Sequence, residues 1–341
     1  MGRAERLLHA IEAVGARRLP PPRGGGRGGV FVLPPAAPSG TSPLAPDLAV
    51  TTDLLDHALR VVRAEGFSPL AIDEVPDRLR RRHDQPFVVF TFDDGYRDNA
   101  TVALPVFRAH QVPFTVYLAT GLVDRTASYW WGVLAKTVES HAALDLRALG
   151  IDEHVAITTW AAKQELYTRL QAWVHVDLET RVSAMTTWCR DLGADERREL
   201  DEAMLTWDEA RELALDPLVT IGAHTVTHRR LARLDADTAR RELAESRATI
   251  EAHLGRPVAH LAYPYGGRAA CGAREFSLAA EAGYATATTT RNANLFPEHA
   301  AHLTALPRRR LTEGRPDSRT ARRALLGTQW VLRRGPRVVT S

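Results

Sequence analysis

Two carboxylates stand side by side in Thr91-Phe92-Asp93-Asp94-Gly95-Tyr96, directly after the apolar run Pro86-Phe87-Val88-Val89-Phe90. At the end of a buried strand, mutual repulsion and desolvation both disfavour the doubly ionised pair. A cation offsets that cost, with one Asp as its ligand and the other as a base. An Asx-turn capping the next helix is the plain alternative. A second segment, His224-Thr225-Val226-Thr227-His228, spaces two imidazoles four residues apart. On a helical turn both lie on one face and reach one metal ion. Unrelated surface histidines are the alternative there. In a third segment, Ala262-Tyr263-Pro264-Tyr265-Gly266-Gly267, Pro264 fixes the backbone and the Gly pair permits a tight turn. Such a turn can aim a backbone N–H at a developing oxyanion, or it can simply end a strand. Taken together, one carboxylate and two imidazoles make a ligand set with positions left open for water and substrate. The second carboxylate then sits beside it as a base.

These segments need strands that end in one place. Strand signals occur at residues 30–33, 86–92, 112–120, 218–222, 258–266 and 284–290. Helical patterns fall between them: 52–65 closed by Gly66, a short one after a strand near residue 68, and one with Ala103, Leu104, Val106 and Phe107 inward. Two more follow, one ending near Leu254 and one over 274–282. The alternation predicts a parallel sheet covered by helices, with the chemistry at the strand ends. Residues 122–215 are mostly helical and rich in polar residues, with Trp130 and Trp131 near their start. Aromatic faces stack on sugar rings, so these two are candidate substrate contacts; a buried helix face is the alternative.

The chain has 341 residues, 45% hydrophobic and 25% charged, which is an ordinary globular composition. The length accommodates one large α/β barrel or two modest domains. A net charge of +3 gives no case for a nucleic-acid partner. Cys189 and Cys271 form no Cys-x-x-Cys pair and no disulfide framework. No run of 18 apolar residues predicts a membrane span. The N-terminus lacks the apolar core of a signal peptide, so a cytoplasmic location is expected. Leu7, Leu8, Ile11 and Val14 share one helical face, which suits a docking helix and leaves peripheral membrane contact open. The expected organisation is a helix and Pro/Gly-rich linker over 1–29, a catalytic domain over 30–312 with an insertion at about 122–215, and a basic extension over 313–341.

"TFDDGY", "HTVTH" and "AYPYG" resemble the three motifs of the polysaccharide deacetylase family, the NodB-homology or carbohydrate esterase 4 group. The resemblance spans about residues 85–310. The flanking stretches "RDNATVALPVF", "YWWGVL", "IGAHTVTHRRLARL" and "ALPR" resemble bacterial members linked to cell-surface glycan processing. It implies a distorted or incomplete (β/α)7 barrel carrying the helical insertion. It also implies a metal-dependent hydrolase that removes N-acetyl or O-acetyl groups from a cell-surface glycan, such as an exopolysaccharide, or from its precursor. The N-acetyl reaction cleaves a carbon–nitrogen bond other than a peptide bond. Carried over residue by residue, the resemblance makes Asp94, His224 and His228 the ligands of a divalent metal, usually Zn2+. It makes Asp93 the general base and Thr225 a hydrogen-bonding residue of the metal loop. The Tyr265 backbone N–H becomes the oxyanion donor.

The departures are specific. Ala262 stands where the third motif usually has Arg, and Arg308 in "ALPRRR" is the candidate replacement; a solvated basic strand end is its alternative. The family's late Leu-x-Ile-x-x-His motif is absent, leaving the general acid unassigned between His299 and His302, with His260 expected to be structural. The Asp-x-x-Asp-Trp motif is also absent after residue 290. Two other functions share these features: hydrolysis of a small amide on the same fold, and a catalytically silent glycan-binding protein. The intact Asp93, Asp94, His224 and His228 argue against the silent protein.

Overall fold

Successive side chains of a strand point to opposite faces. In Phe87–Phe92 every residue is buried, which requires cover on both faces. Val88, Phe90 and Phe92 pack outward against the helices, while Phe87 and Val89 pack inward with Val30 and Leu306. The computed structural model describes residues 28–38, 44, 49–81 and 85–311. The expected N-terminal helix, most of the linker and the basic extension lie outside the described residues.

Eight strands share one sheet: β1 (Gly28–Leu33), β2 (Ser68–Pro69), β3 (Phe87–Phe92), β4 (Phe114–Leu118), β5 (Val219–Ala223), β6 (His260–Ala262), β7 (Thr286–Thr288) and β8 (Arg308–Arg310). Their order is β7-β6-β5-β4-β3-β1-β8, with β2 added beside the start of β3. Every pairing in it is parallel. Leu306, just ahead of β8, bridges in parallel to Thr288 of β7 and brings the ring nearly to closure. The fold is the expected seven-stranded barrel, with β2 as a short extra. The first strand starts at Gly28, two residues inside the stretch assigned to the linker.

Inside the barrel the apolar layer of Phe87 and Val89 adjoins polar ones. Gly222 of β5 leaves room for the Tyr117 ring, which a Cβ there would meet at 2.5 Å. Below that layer His260 bonds Thr286 Oγ1 (2.8 Å) and Asp73 Oδ1 (2.6 Å), closing the N-terminal end of the barrel with the residues ahead of the helix Val75–Arg80. His260 is structural, as expected.

Between β4 and β5 the chain makes the helical insertion. Helices Trp130–Ser140, Trp160–Val176 and Leu178–Asp191 share an apolar cluster of their own, including Leu134, Leu170, Val174 and Met185. The insertion also holds an antiparallel hairpin, Ala143–Asp145 with His154–Ala156, which its polar pattern conceals. Helices Glu196–Ala203 and Trp207–Ala214 return the chain to β5.

The outer core is aromatic around Phe90. It is fully buried, with ring centroids 6.0 Å from Phe31 and 5.6 Å from Phe107. Phe90→Ala is expected to lower the unfolding free energy by about 3–5 kcal/mol in a urea titration. A loss below about 1 kcal/mol would mean that this cluster does not hold the barrel.

Candidate active site

Asp93 and Asp94 leave β3 at its C-terminal end. Asp94 has φ 72° and Gly95 φ 87°, so the chain turns at once and the two carboxyl groups part. A Cβ on Gly95 would meet the Leu118 side chain at 2.8 Å. Thr225 (φ 64°), His228 (φ 54°) and Tyr265 (φ 61°) are left-handed as well. These non-glycine residues lie in the three motif segments, the kind of backbone strain that collects where side chains must be aimed.

The two histidines are not on a helix. Residues 224–228 form an irregular loop after β5, a correction to the helical turn suggested by their spacing. The left-handed Thr225 and His228 fold the second imidazole back toward the first, with ring centroids 5.0 Å apart. The Thr225 hydroxyl is buried without a hydrogen-bond partner among the described residues, so it does not serve the loop in the expected way. Its carbonyl accepts from the Thr120 N–H instead (3.1 Å). Glu242 holds the loop: its carboxylate accepts from the N–H groups of Val226 and Thr227, both at 2.9 Å, and from the Thr227 hydroxyl.

Asp94 Oδ1 lies 3.2 Å from His228 Nε2 and 3.5 Å from His224 Nε2. His224 Nδ1 donates to the Ala262 carbonyl (2.7 Å), which leaves the Nε2 lone pair facing Asp94. Burial pushes both imidazoles below their ordinary range, His228 to about 4. Burial, with the neighbouring Asp93 charge, pushes the Asp94 carboxyl up to about 6. At neutral pH the three residues are thus two neutral imidazoles and a carboxylate. Asp94 Oδ1 has no hydrogen-bond donor among the described residues. The three ligand atoms fall within 4.8 Å of one another. Buried acceptors that face each other without a proton between them fit a divalent cation.

Asp93 has a different partner. Arg308 grips it with both arms, Nη1 to Oδ1 at 2.6 Å and Nη2 to Oδ2 at 2.8 Å. The guanidinium is fully buried, donates to Thr91 Oγ1 and the Thr289 carbonyl (both 3.1 Å), and lies over the Tyr117 ring. Burial is the largest influence and works to raise the Asp93 carboxyl, but the Arg308 charge and hydrogen bonds, together with the neighbouring histidines, hold Asp93 below the ordinary range. Arg308 is therefore no solvated strand end. Arg309 points the other way, to Asn294 and over Phe31. Ala262 is buried on β6.

The Tyr265 ring is 5.0 Å from the His228 ring, and its carbonyl accepts from the Thr290 hydroxyl (2.6 Å), which pins the third turn to the end of β7. Trp131 covers the other side of His228 at 5.0 Å and donates to the Tyr96 hydroxyl (2.6 Å). It lines a cavity of about 590 Å3 that opens beside Asp93 and Asp94. Trp130 does not line it. Its ring is buried in the apolar cluster of the insertion, because adjacent helical positions face about 100° apart. His299 is fully buried beside Phe296, and Leu303, next to His302, packs on the cluster at the N-terminal end of the barrel. Both histidines are at the wrong end of the strands for the acid.

A family model described as polysaccharide deacetylase matches residues 80–287. The chain belongs to the polysaccharide deacetylase family. Solved structures share the fold. A Streptococcus pyogenes deacetylase, PplD, in complex with acetate is 19% identical with a TM-score of 0.54, over 87% of this chain and 98% of that one. IcaB from Ammonifex degensii is 16% identical with a TM-score of 0.54, over 87% and 97%. The BpsB deacetylase domain from Bordetella bronchiseptica is 17% identical with a TM-score of 0.51, over 84% and 96%. Among curated proteins no sequence matches this chain.

In this polysaccharide deacetylase Glu242 is the functional residue that motif reading misses. Its signal is a carboxylate on the buried face of the helix Ala236–Leu254, among Ala239, Leu243 and Ile250. An amide in its place cannot accept every one of these bonds. Glu242→Gln is expected to weaken zinc binding about 10–100-fold in a competitive chelator titration. Unchanged affinity would mean that the loop needs no clamp.

Proposed function

We propose that this deacetylase is a metal-dependent hydrolase, with zinc as its ion, that removes N-acetyl groups from a glycan of the cell surface or from its precursor. One observation carries the reading: Asp94, His224 and His228 converge beside an Asp93 that Arg308 keeps ionised. When bound, the ion polarises the acetyl carbonyl and lowers the pKa of a water.

The chain supplies the rest. Asp93 accepts a proton from the water that attacks the carbonyl carbon. Arg308 fixes both Asp93 oxygens, so the base approaches in one orientation and stays charged at neutral pH. The Tyr265 backbone N–H, set by the left-handed turn, donates to the oxygen as negative charge develops there. The carbon–nitrogen bond then breaks, acetate leaves, and the sugar nitrogen takes a proton. Trp131 offers an aromatic face for the sugar.

Acetate release from N-acetylated oligosaccharides, with chelator and with zinc restored, tests this function. Asp94→Ala is expected to lose both metal and turnover. Asp93→Asn is expected to keep its metal and lose about 10²–10⁴-fold in kcat. Near-normal turnover by Asp93→Asn would remove Asp93 from the base's role.

Arg308 gives a separate pH test. It lowers the Asp93 pKa, so its removal raises that pKa and moves the acid limb of the kcat/KM profile to higher pH. Arg308→Ala is expected to show that displacement and Arg309→Ala not to. A greater loss for Arg309→Ala would contradict the assignment.

A further inference from the structure

A sugar nitrogen leaves a carbonyl carbon only if it takes a proton as the bond breaks, because its anion is far too basic to depart. His299 and His302 do not supply that proton, since they lie toward the N-terminal end of the barrel. The nitrogen is attached to the sugar, so its donor must face the space that the sugar fills. That space is the cavity of about 590 Å3 beside Asp93 and Asp94.

The other titratable groups of its wall can be taken in turn. Burial pushes the hydroxyls of Tyr96, Tyr129 and Tyr167 above their ordinary range, so they hold their protons too tightly. Arg97 and Arg310 give up no proton at neutral pH. Glu202 is exposed and stands by Arg198 (3.8 Å). Glu139 is exposed near the end of the helix Trp130–Ser140. It lies about 12 Å along the helix axis from Trp131.

Asp98 differs from all of these. It lines the same cavity as Asp93 and Asp94, just past the turn in which they stand. Its Oδ1 accepts from the Asn99 amide (2.8 Å). No cation compensates it: the adjacent Arg97 is committed to Glu209 and to the carbonyls of Asp201 and Glu202. Burial pushes the Asp98 carboxyl up to about 7, against the Ala36 N–H and the Asn99 amide, which favour its charged form. A carboxyl that holds and releases a proton near neutral pH, on the wall of the reacting cavity, is suited to general acid catalysis.

We propose that Asp98 is the general acid of this deacetylase, in place of the late histidine that the chain lacks. This rests on the deacetylase function proposed above and adds a residue to it. As the carbon–nitrogen bond breaks, its electron pair goes to the nitrogen, which takes the Asp98 proton. Acetate and the sugar amine leave. Asp98, now a carboxylate, regains a proton from solvent, and Asp93 releases to solvent the one it took from the attacking water.

The test compares zinc-loaded wild type and Asp98→Asn on N-acetylated oligosaccharides and on 4-nitrophenyl acetate, whose phenolate leaves without a proton. The substituted amide is nearly the same size and still accepts from the Ala36 N–H, so a merely structural role would survive. Asp98→Asn is expected to keep its zinc and to lose about 10²-fold or more in kcat on the sugar. Its loss on the ester is expected to be far smaller. Wild-type kcat/KM is expected to fall as pH rises through about 7, where Asp98 gives up its proton, and the variant to lack that basic limb. A loss on the sugar below about tenfold, equal losses on both substrates, or an unmoved basic limb would overturn Asp98 as the acid and leave the deacetylase function standing. No acetate from any oligosaccharide with the wild-type protein would overturn both.

Discussion

Two neighbouring carboxylates at the end of a buried strand are the constraint around which this molecule is arranged. Left alone, Asp93 and Asp94 would repel each other in a medium that solvates neither. The fold answers each separately. Asp93 receives a buried guanidinium held by both of its oxygens. Asp94 receives two imidazoles that burial keeps neutral, a set of acceptors whose natural complement is a cation. The pair is thereby split into a base and a ligand by its surroundings, since the two side chains are chemically the same.

That division ties barrel closure to the site. Arg308 lies on the last described strand and Asp93 follows the third, so their pairing depends on β8 taking its place beside β1. The guanidinium threads the barrel interior over Tyr117, whose own place depends on the missing side chain of Gly222. A buried Arg with its partner removed would be a heavy penalty, so the strand order and the charge pair support one another. The Arg comes from β8, and the small Ala262 fills the position on β6 where the family motif usually carries it. His224 uses the Ala262 carbonyl as its orienting partner.

Much of this was legible in the chain itself. The βα alternation and the apolar runs mark nearly all the barrel strands, because period-two and period-3.6 patterns record which faces are buried. The three motif segments mark the site because their residue types are costly anywhere else. What failed to show were features set by backbone geometry and by distant contacts. The spacing of His224 and His228 resembles a helical turn, yet left-handed residues deliver the same convergence from a loop. Glu242 is an ordinary surface residue by type, and its role exists only because a helix lies under the loop that carries His224 and His228. Trp130 and Trp131 look equivalent in sequence, and only helix phase sends one into the core and the other to the cavity. His299 and His302 sit near a strand in sequence but at the opposite end of the barrel.

The most direct test of this account is an anomalous-difference map from crystals grown with zinc. It predicts a single strong peak bonded to Asp94, His224 Nε2 and His228 Nε2 at about 2.0–2.2 Å, with Asp93 beside it still paired to Arg308. A peak elsewhere, or Asp93 in the coordination sphere with Arg308 released, would contradict the division of labour between the two carboxylates.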